Sequence, residues 1–142
     1  MATEHSVAVM IVDDDEGHLE LARRSLRRSG IVGPVFSFTR GEEALDYILR
    51  RGGHAERDSH DQLVVLLDIN MPPGMNGIEV LRRLKAEPQA TSEVSVIMLT
   101  TADDPAEVEL CFSLGCRAYM AKPLDSAAFI QELERLERDR TP

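Results

Sequence analysis

Five short apolar runs punctuate the chain, at 7–12, 35–38, 63–67, 94–99 and 118–120. Each has the length of a strand, and between them lie segments whose apolar positions recur with the helical period. Strands that are apolar at nearly every position are buried on both faces, and strands alternating with helices connect in parallel. The pattern therefore predicts a parallel sheet of five strands covered on both sides by five helices.

The helix starts are legible from their caps. Thr39 with Glu42, Asn76 with Glu79, and Asp104 with Glu107 each stand three residues apart. At that spacing a cap side chain and a first-turn acid can satisfy orphan N–H groups reciprocally. Pro105 falls at a first helical position, where its missing N–H costs nothing. Helices are expected over 17–29, 40–51, 77–86, 105–114 and 126–138. Leu19, Ala22 and Leu26 line one core-facing stripe, and Phe129, Leu133 and Leu136 another. The stretch 52–62 is polar, glycine-led and long for a helix-to-strand connection, so it reads as a solvated insertion or a partner-contact loop. There is no internal repeat, and only the short tail 139–142 follows the fifth helix. A single domain over 1–142, with a core of about 7–138 and no output domain, is expected.

Composition narrows the function. A chain of 142 residues with 43% hydrophobic content can bury the core of one ordinary domain. A net charge of −9, 4% aromatic residues and no Trp argue against a nucleic-acid surface. No apolar stretch approaches the roughly 20 residues of a bilayer span, and Met1-Ala2-Thr3-Glu4-His5 lacks the basic start of a signal peptide. A cytoplasmic protein with no membrane partner is the expectation. Cys111 and Cys116 have no Cys/His set around them in the sequence, and are expected to be small buried hydrophobes.

The chemistry lies where the apolar runs stop. The first ends in Asp13, Asp14 and Asp15, the third in Asp68, and the fifth, through Ala121, in Lys122. Carboxyl ends of strands in an open α/β sheet share the edge at which ligands bind. A run of three acids is by itself more commonly a solvated turn and helix cap than a metal site. Convergence with Asp68 changes the balance, because like carboxylates ~4 Å apart repel by ~4 kcal/mol per pair at an effective dielectric of ~20. Such a cluster needs a cation, and an oxygen set with no nearby His or Cys suits a hard ion, magnesium in particular. Lys122 alone would be an ordinary lysine before a turn proline; here it becomes a compact charge for Asp68 or a phosphoryl oxygen. Thr100 and Thr101 end the fourth run, where a hydroxyl can donate to the same group.

Taken together, four stretches resemble the receiver domain of two-component response regulators, over about 7–136. They are the acid pair after Ile11-Val12, the run Leu66-Leu67-Asp68-Ile69-Asn70-Met71-Pro72 with Gly77 beyond it, the strand end Leu99-Thr100-Thr101-Ala102, and Ala118-Tyr119-Met120-Ala121-Lys122-Pro123. The resemblance implies a flavodoxin-like, doubly wound (βα)5 sandwich with strand order 2-1-3-4-5. It implies Asp68 as phosphoacceptor, Asp13 and Asp14 as acids of a magnesium site, and the Asn70 backbone carbonyl as a further ligand. Thr100 and Lys122 match the hydroxyl and lysine that contact the phosphoryl group, and Tyr119 the aromatic whose rotamer follows the threonine. Asn70 and Ala102, two residues after Asp68 and Thr100, border the approach of a hydrolytic water. The implied activity is signalling, with slow self-dephosphorylation and no enzymatic turnover. The implied partners are a sensor histidine kinase or a histidine phosphotransfer protein, a downstream protein reading the face of the fourth helix, fifth strand and fifth helix, and a second copy of the chain.

Two departures stand out. The loop from Met71 to Gly77 is one residue longer than usual, and Asn76 stands where an Asp often precedes the glycine. The long insert before the third strand and the lack of an output domain also resemble the small receivers that accompany phytochrome-type histidine kinases. A haloacid-dehalogenase-type phosphatase would need a second acid two residues after its nucleophile, and Asn70 occupies that place. A pseudo-receiver, a binding module without phosphorylation, is disfavoured by the complete set of acids, hydroxyl and lysine. On the first helix, Arg23 with Arg27 and Arg24 with Arg28 form a basic ridge, which is either a solvated face or a kinase-facing surface.

Overall fold

The structure, a computed structural model, describes residues 7–71, 74–101 and 104–140. Its elements are β1 (Ala8–Val12), α1 (Glu16–Arg28), β2 (Val35–Phe38), α2 (Gly41–Leu49), β3 (Leu63–Asp68), α3 (Gly77–Lys85), β4 (Val94–Thr100), α4 (Pro105–Ser113), β5 (Ala118–Ala121) and α5 (Ser126–Arg140). All strand pairings are parallel, in the order β2-β1-β3-β4-β5. This is the flavodoxin-like arrangement that the sequence implied.

The continuous apolar runs are explained by burial on both faces. Val9, Ile11, Val64, Leu66, Ile97 and Leu99 pack under α1 and α5. Met10, Val12, Val65, Leu67 and Met98 pack under α2, α3 and α4. Because side chains alternate along a strand, this parity fixes where the strand ends aim. Asp68 continues the Leu66 parity toward α1 and α5, whereas Thr100 continues that of Met98 toward α3 and α4.

Several helix starts depart from expectation. Thr39 does not cap α2: the cap position is Arg40, with no side-chain hydrogen bond. The helix opens at Gly41, where a β-carbon would stand 2.8 Å from Val80 Cγ2 and 2.9 Å from the Met75 carbonyl oxygen, so only glycine fits. Glu42 instead accepts the Met75 N–H at 3.4 Å and faces Arg40. Asn76 caps α3, accepting from Glu79 N at 2.9 Å, but the reciprocal half is missing, since Glu79 bonds Arg82 and Arg83. Asp104 accepts from Ala106 N rather than from Glu107 N.

The 52–62 stretch is more built than a solvated loop. It opens with a 3-10 turn, Gly52–His54. Arg57 then donates to the Tyr47 and Ile48 carbonyls at the end of α2 and lies 4.6 Å from the Tyr47 ring centroid. Tyr47 Oη and His60 Nε2 are 2.7 Å apart. Cys111 and Cys116 are free and buried, as expected. Among the described residues no helix is long and apolar enough to cross a membrane.

Gly77 ties the fold to the site. A β-carbon there would lie 2.2 Å from the Asp68 carbonyl oxygen, so α3 starts in direct contact with the main chain of the β3 end. Alanine in a helix ordinarily stabilises relative to glycine. Here the close approach reverses the sign, and Gly77→Ala should destabilise by ~2 kcal/mol in urea denaturation. A variant as stable as the parent would contradict this contact.

Candidate functional site

Asp13 and Asp68 are 4% and 7% exposed, although they are carboxylates at the ends of neighbouring strands. Two buried like charges require a counter-charge, and Lys122 from the end of β5 supplies it. Its Nζ lies 2.5 Å from Asp13 Oδ2 and 3.3 Å from Asp68 Oδ2. The lysine is placed by its backbone, whose N–H donates to the Thr100 carbonyl at 2.8 Å. Asp14 is exposed beside the pair, and one carboxylate oxygen from each of Asp13, Asp14 and Asp68 lies within 4.8 Å of the others. One ammonium against three carboxylates leaves the pocket net negative.

The turn after β1 separates the roles of the acid triplet. Asp13 Oδ1 accepts from Asp15 N at 2.9 Å, and Asp15 Oδ1 accepts from His18 N at 3.0 Å as the cap of α1. The third acid therefore belongs to the helix start, and its carboxyl is held below the ordinary range chiefly by that backbone N–H. Asp68 is shifted the other way. Burial and then the charge of Asp13 push its carboxyl above the ordinary value, against the opposing pull of Lys122. A backbone hydrogen bond from Asn70 also favours its ionised form.

The remaining expected residues divide by face. Thr100 is 2% exposed at the end of β4. Tyr119 is half-buried against the core under α3 and α4, in register with Met98, two residues before Thr100. Asn70 is exposed beside Asp68. Ala102 and Pro72 lie outside the described residues. On α1, Arg24, Arg27 and Arg28 are exposed, with Arg24 paired to Glu20 at 3.3 Å, while Arg23 reaches the Ser37 hydroxyl on β2.

One residue was missed. The expectation of no nearby histidine is wrong: His18 Nδ1 lies 3.1 Å from Lys122 Nζ and 3.5 Å from Asp13 Oδ2. The signal was its place three residues after Asp15, one turn into a helix whose start the acids define. With Leu21, Leu124 and the two buried acids, it lines a cavity of about 190 Å³ at the strand ends.

The raised Asp68 carboxyl has a consequence for stability. The folded protein holds this proton to higher pH than the unfolded chain does. Stability is thus lost as pH rises from the unfolded value of about 4 through the folded one, and the full cost persists above that. Asp68→Asn should therefore raise the melting temperature by about 2–4 °C at neutral pH without divalent cations. The gain should shrink below about pH 4. Melting curves across pH test this, and a destabilised variant at neutral pH would refute it.

Comparison with known proteins agrees with the fold. The sequence model of the response regulator receiver domain matches residues 9–134. A chemotaxis protein CheY homolog of Campylobacter jejuni is 29% identical over 126 residues, covering 89% of this chain and 88% of that protein. The sensory/regulatory protein RpfC of Xanthomonas campestris is 29% identical over 136 residues, which are 95% of this chain but 17% of RpfC. Among solved structures, the bacteriophytochrome response regulator RtBRR superposes with a TM-score of 0.78 at 32% identity, covering 93% of this chain and 78% of that one. Since the family match begins within β1 and ends within α5, taking in every strand of the sheet, the chain belongs to the response regulator receiver domains.

Proposed function

We propose that Asp68 accepts a phosphoryl group from the phosphohistidine of a sensor histidine kinase or phosphotransfer protein, and that the modification is read on the face of α4, β5 and α5. The observation that carries this reading is the pair of buried acids, Asp13 and Asp68, sharing one lysine at adjoining strand ends. A carboxylate oxygen of Asp68 would form the new P–O bond as the P–N bond to the donor imidazole breaks, the ring leaving with the electron pair and taking a proton. Lys122 would move its contact toward the transferring oxygens, which its position beside Asp68 permits. The Thr100 hydroxyl would donate to the same group, and Tyr119 would follow it from the α3–α4 side.

The acids fit magnesium. Asp13, Asp14 and Asp68 offer an all-oxygen set with net negative charge, and the Asn70 backbone carbonyl is a further candidate ligand. The ion, when bound, would supply charge neutralisation at the phosphoryl oxygens. The likeness to RtBRR supports a phytochrome-like kinase as donor.

Incubation with magnesium and acetyl phosphate, followed by peptide mapping, should find Asp68 modified. Modification persisting undiminished in Asp68→Asn would overturn the assignment. Asp14→Ala should weaken magnesium binding by about tenfold in calorimetric titration, because an exposed ligand is lost with no buried bond broken. Unchanged affinity would remove Asp14 from the metal set.

The exposed arginines Arg24, Arg27 and Arg28 stand on α1, the helix whose start carries Asp15 and His18, and we propose them as the kinase-facing ridge. Reversing the charge of Arg24 and Arg28 should slow transfer from the kinase by about tenfold while leaving acetyl phosphate turnover unchanged. Equal effects on both donors would refute docking.

A further inference from the structure

The reading of Asp68 as phosphoacceptor leaves one side chain of the pocket without a role. The Lys122 ammonium carries three N–H donors and no lone pair. It meets three acceptors: Asp13 Oδ2 at 2.5 Å, His18 Nδ1 at 3.1 Å and Asp68 Oδ2 at 3.3 Å. Because the ammonium can only donate, a hydrogen bond across this contact has His18 accepting through Nδ1, as its Nε2–H tautomer does. That edge faces Asp15, whose Oδ2 is 4.0 Å from Nε2. The ring is set in place by the helix start itself, since Asp15 caps α1 through the backbone N–H of His18.

We infer that His18 is a positioning residue for Lys122, acting on phosphoryl transfer through the lysine and not by touching the phosphorus. The inference rests on the proposed role of Asp68. Asp13 accepts from Asp15 N through Oδ1 and from Lys122 through Oδ2, so a cation drawn to Asp13 would lie beside the ammonium. Two positive charges at one carboxylate would repel, and a phosphoryl oxygen on Asp68 would claim another of the lysine's donors. His18 is then the acceptor that keeps the ammonium at the mouth of the pocket. A neutral acceptor suits this task. A carboxylate at the same place would deepen the negative potential and draw the lysine away from the phosphoryl group. The flexible four-carbon stem of lysine needs such an anchor to present its charge in one direction.

Three substitutions separate this role from simple pocket lining. In His18→Asn the amide oxygen sits where Nδ1 sits; in His18→Gln the acceptor moves one bond farther out; in His18→Ala it is gone. With magnesium and saturating acetyl phosphate, the rate of Asp68 phosphorylation should fall about fivefold in His18→Ala and His18→Gln and stay within about twofold of the parent in His18→Asn. A second readout needs no phosphorylation. Two-bond ¹H–¹⁵N NMR should show His18 as the fixed Nε2–H tautomer, and Lys122→Met should release it to a mixture. Equal rates in all three variants, or an unfixed tautomer in the parent, overturns the inference. A parent protein that takes no phosphoryl group on Asp68 overturns instead the reading beneath it.

Discussion

Two carboxylates buried at neighbouring strand ends are intolerable without a counter-charge, and the position of Lys122 answers that constraint. The ammonium comes from β5, while the acids follow β1 and end β3, so one ion cluster spans the sheet across β4. A main-chain bond to the end of β4 fixes the lysine's backbone, and Asp13, Asp68 and His18 surround the ammonium at the end of its stem. Parallel pairing makes this possible, because it brings the carboxyl ends of all the strands to one edge. Three carboxylates against one ammonium still leave an unmet demand for positive charge. A pocket left net negative in this way is suited to binding a cation.

The pleat of the sheet sends Asp68 and Thr100 to opposite faces. Asp68 shares the parity of Leu66 and Leu99 and lies on the side of α1 and α5, where His18 and the exposed arginines also stand. Thr100 shares the parity of Met98 and lies with Tyr119 on the side of α3 and α4. Adjacent residues of one strand pair, Asp68 opposite Leu99 with Thr100 next, thus link two faces of the molecule. Phosphorylation on one face would be felt on the other by a movement of one side chain.

Much of this was legible in the chain, for reasons that separate the successes from the failures. The strands were readable because burial on both faces leaves continuous apolar runs, and the acids and lysine because they stop those runs abruptly. Thr39 failed as a cap because α2 begins one residue later than the spacing suggests, with Arg40 at the cap and Gly41 packed closely against Val80 of α3. The reciprocal halves of the other caps failed because Glu79 has two arginines within reach on its own helix. His18 was overlooked because it lies outside the strand-end pattern and reaches the pocket by helical geometry. The 52–62 stretch was readable as polar but not as structured, since its order comes from Arg57 and His60 gathering on Tyr47.

The packing of α4 fits the same division of labour. The other helices bury stripes of leucine, valine, isoleucine or phenylalanine, whereas in α4 only Cys111 is buried, and Leu110 and Phe112 are 37% and 47% exposed. With a single fully buried side chain, α4 is the most lightly packed of the five helices against the sheet. Its cap, Asp104 on Ala106 N, fixes the start of the helix without tying its flank to the core. The rigid part of the molecule is therefore the edge where charge is concentrated, from Asp13 through Asp68 to Lys122. The soft part is the face toward which Thr100 and Tyr119 point. Under the proposed function, a tightly determined site beside a lightly packed helix would suit a two-state signal, because the free energy of one new charge could then outweigh the contacts it must displace.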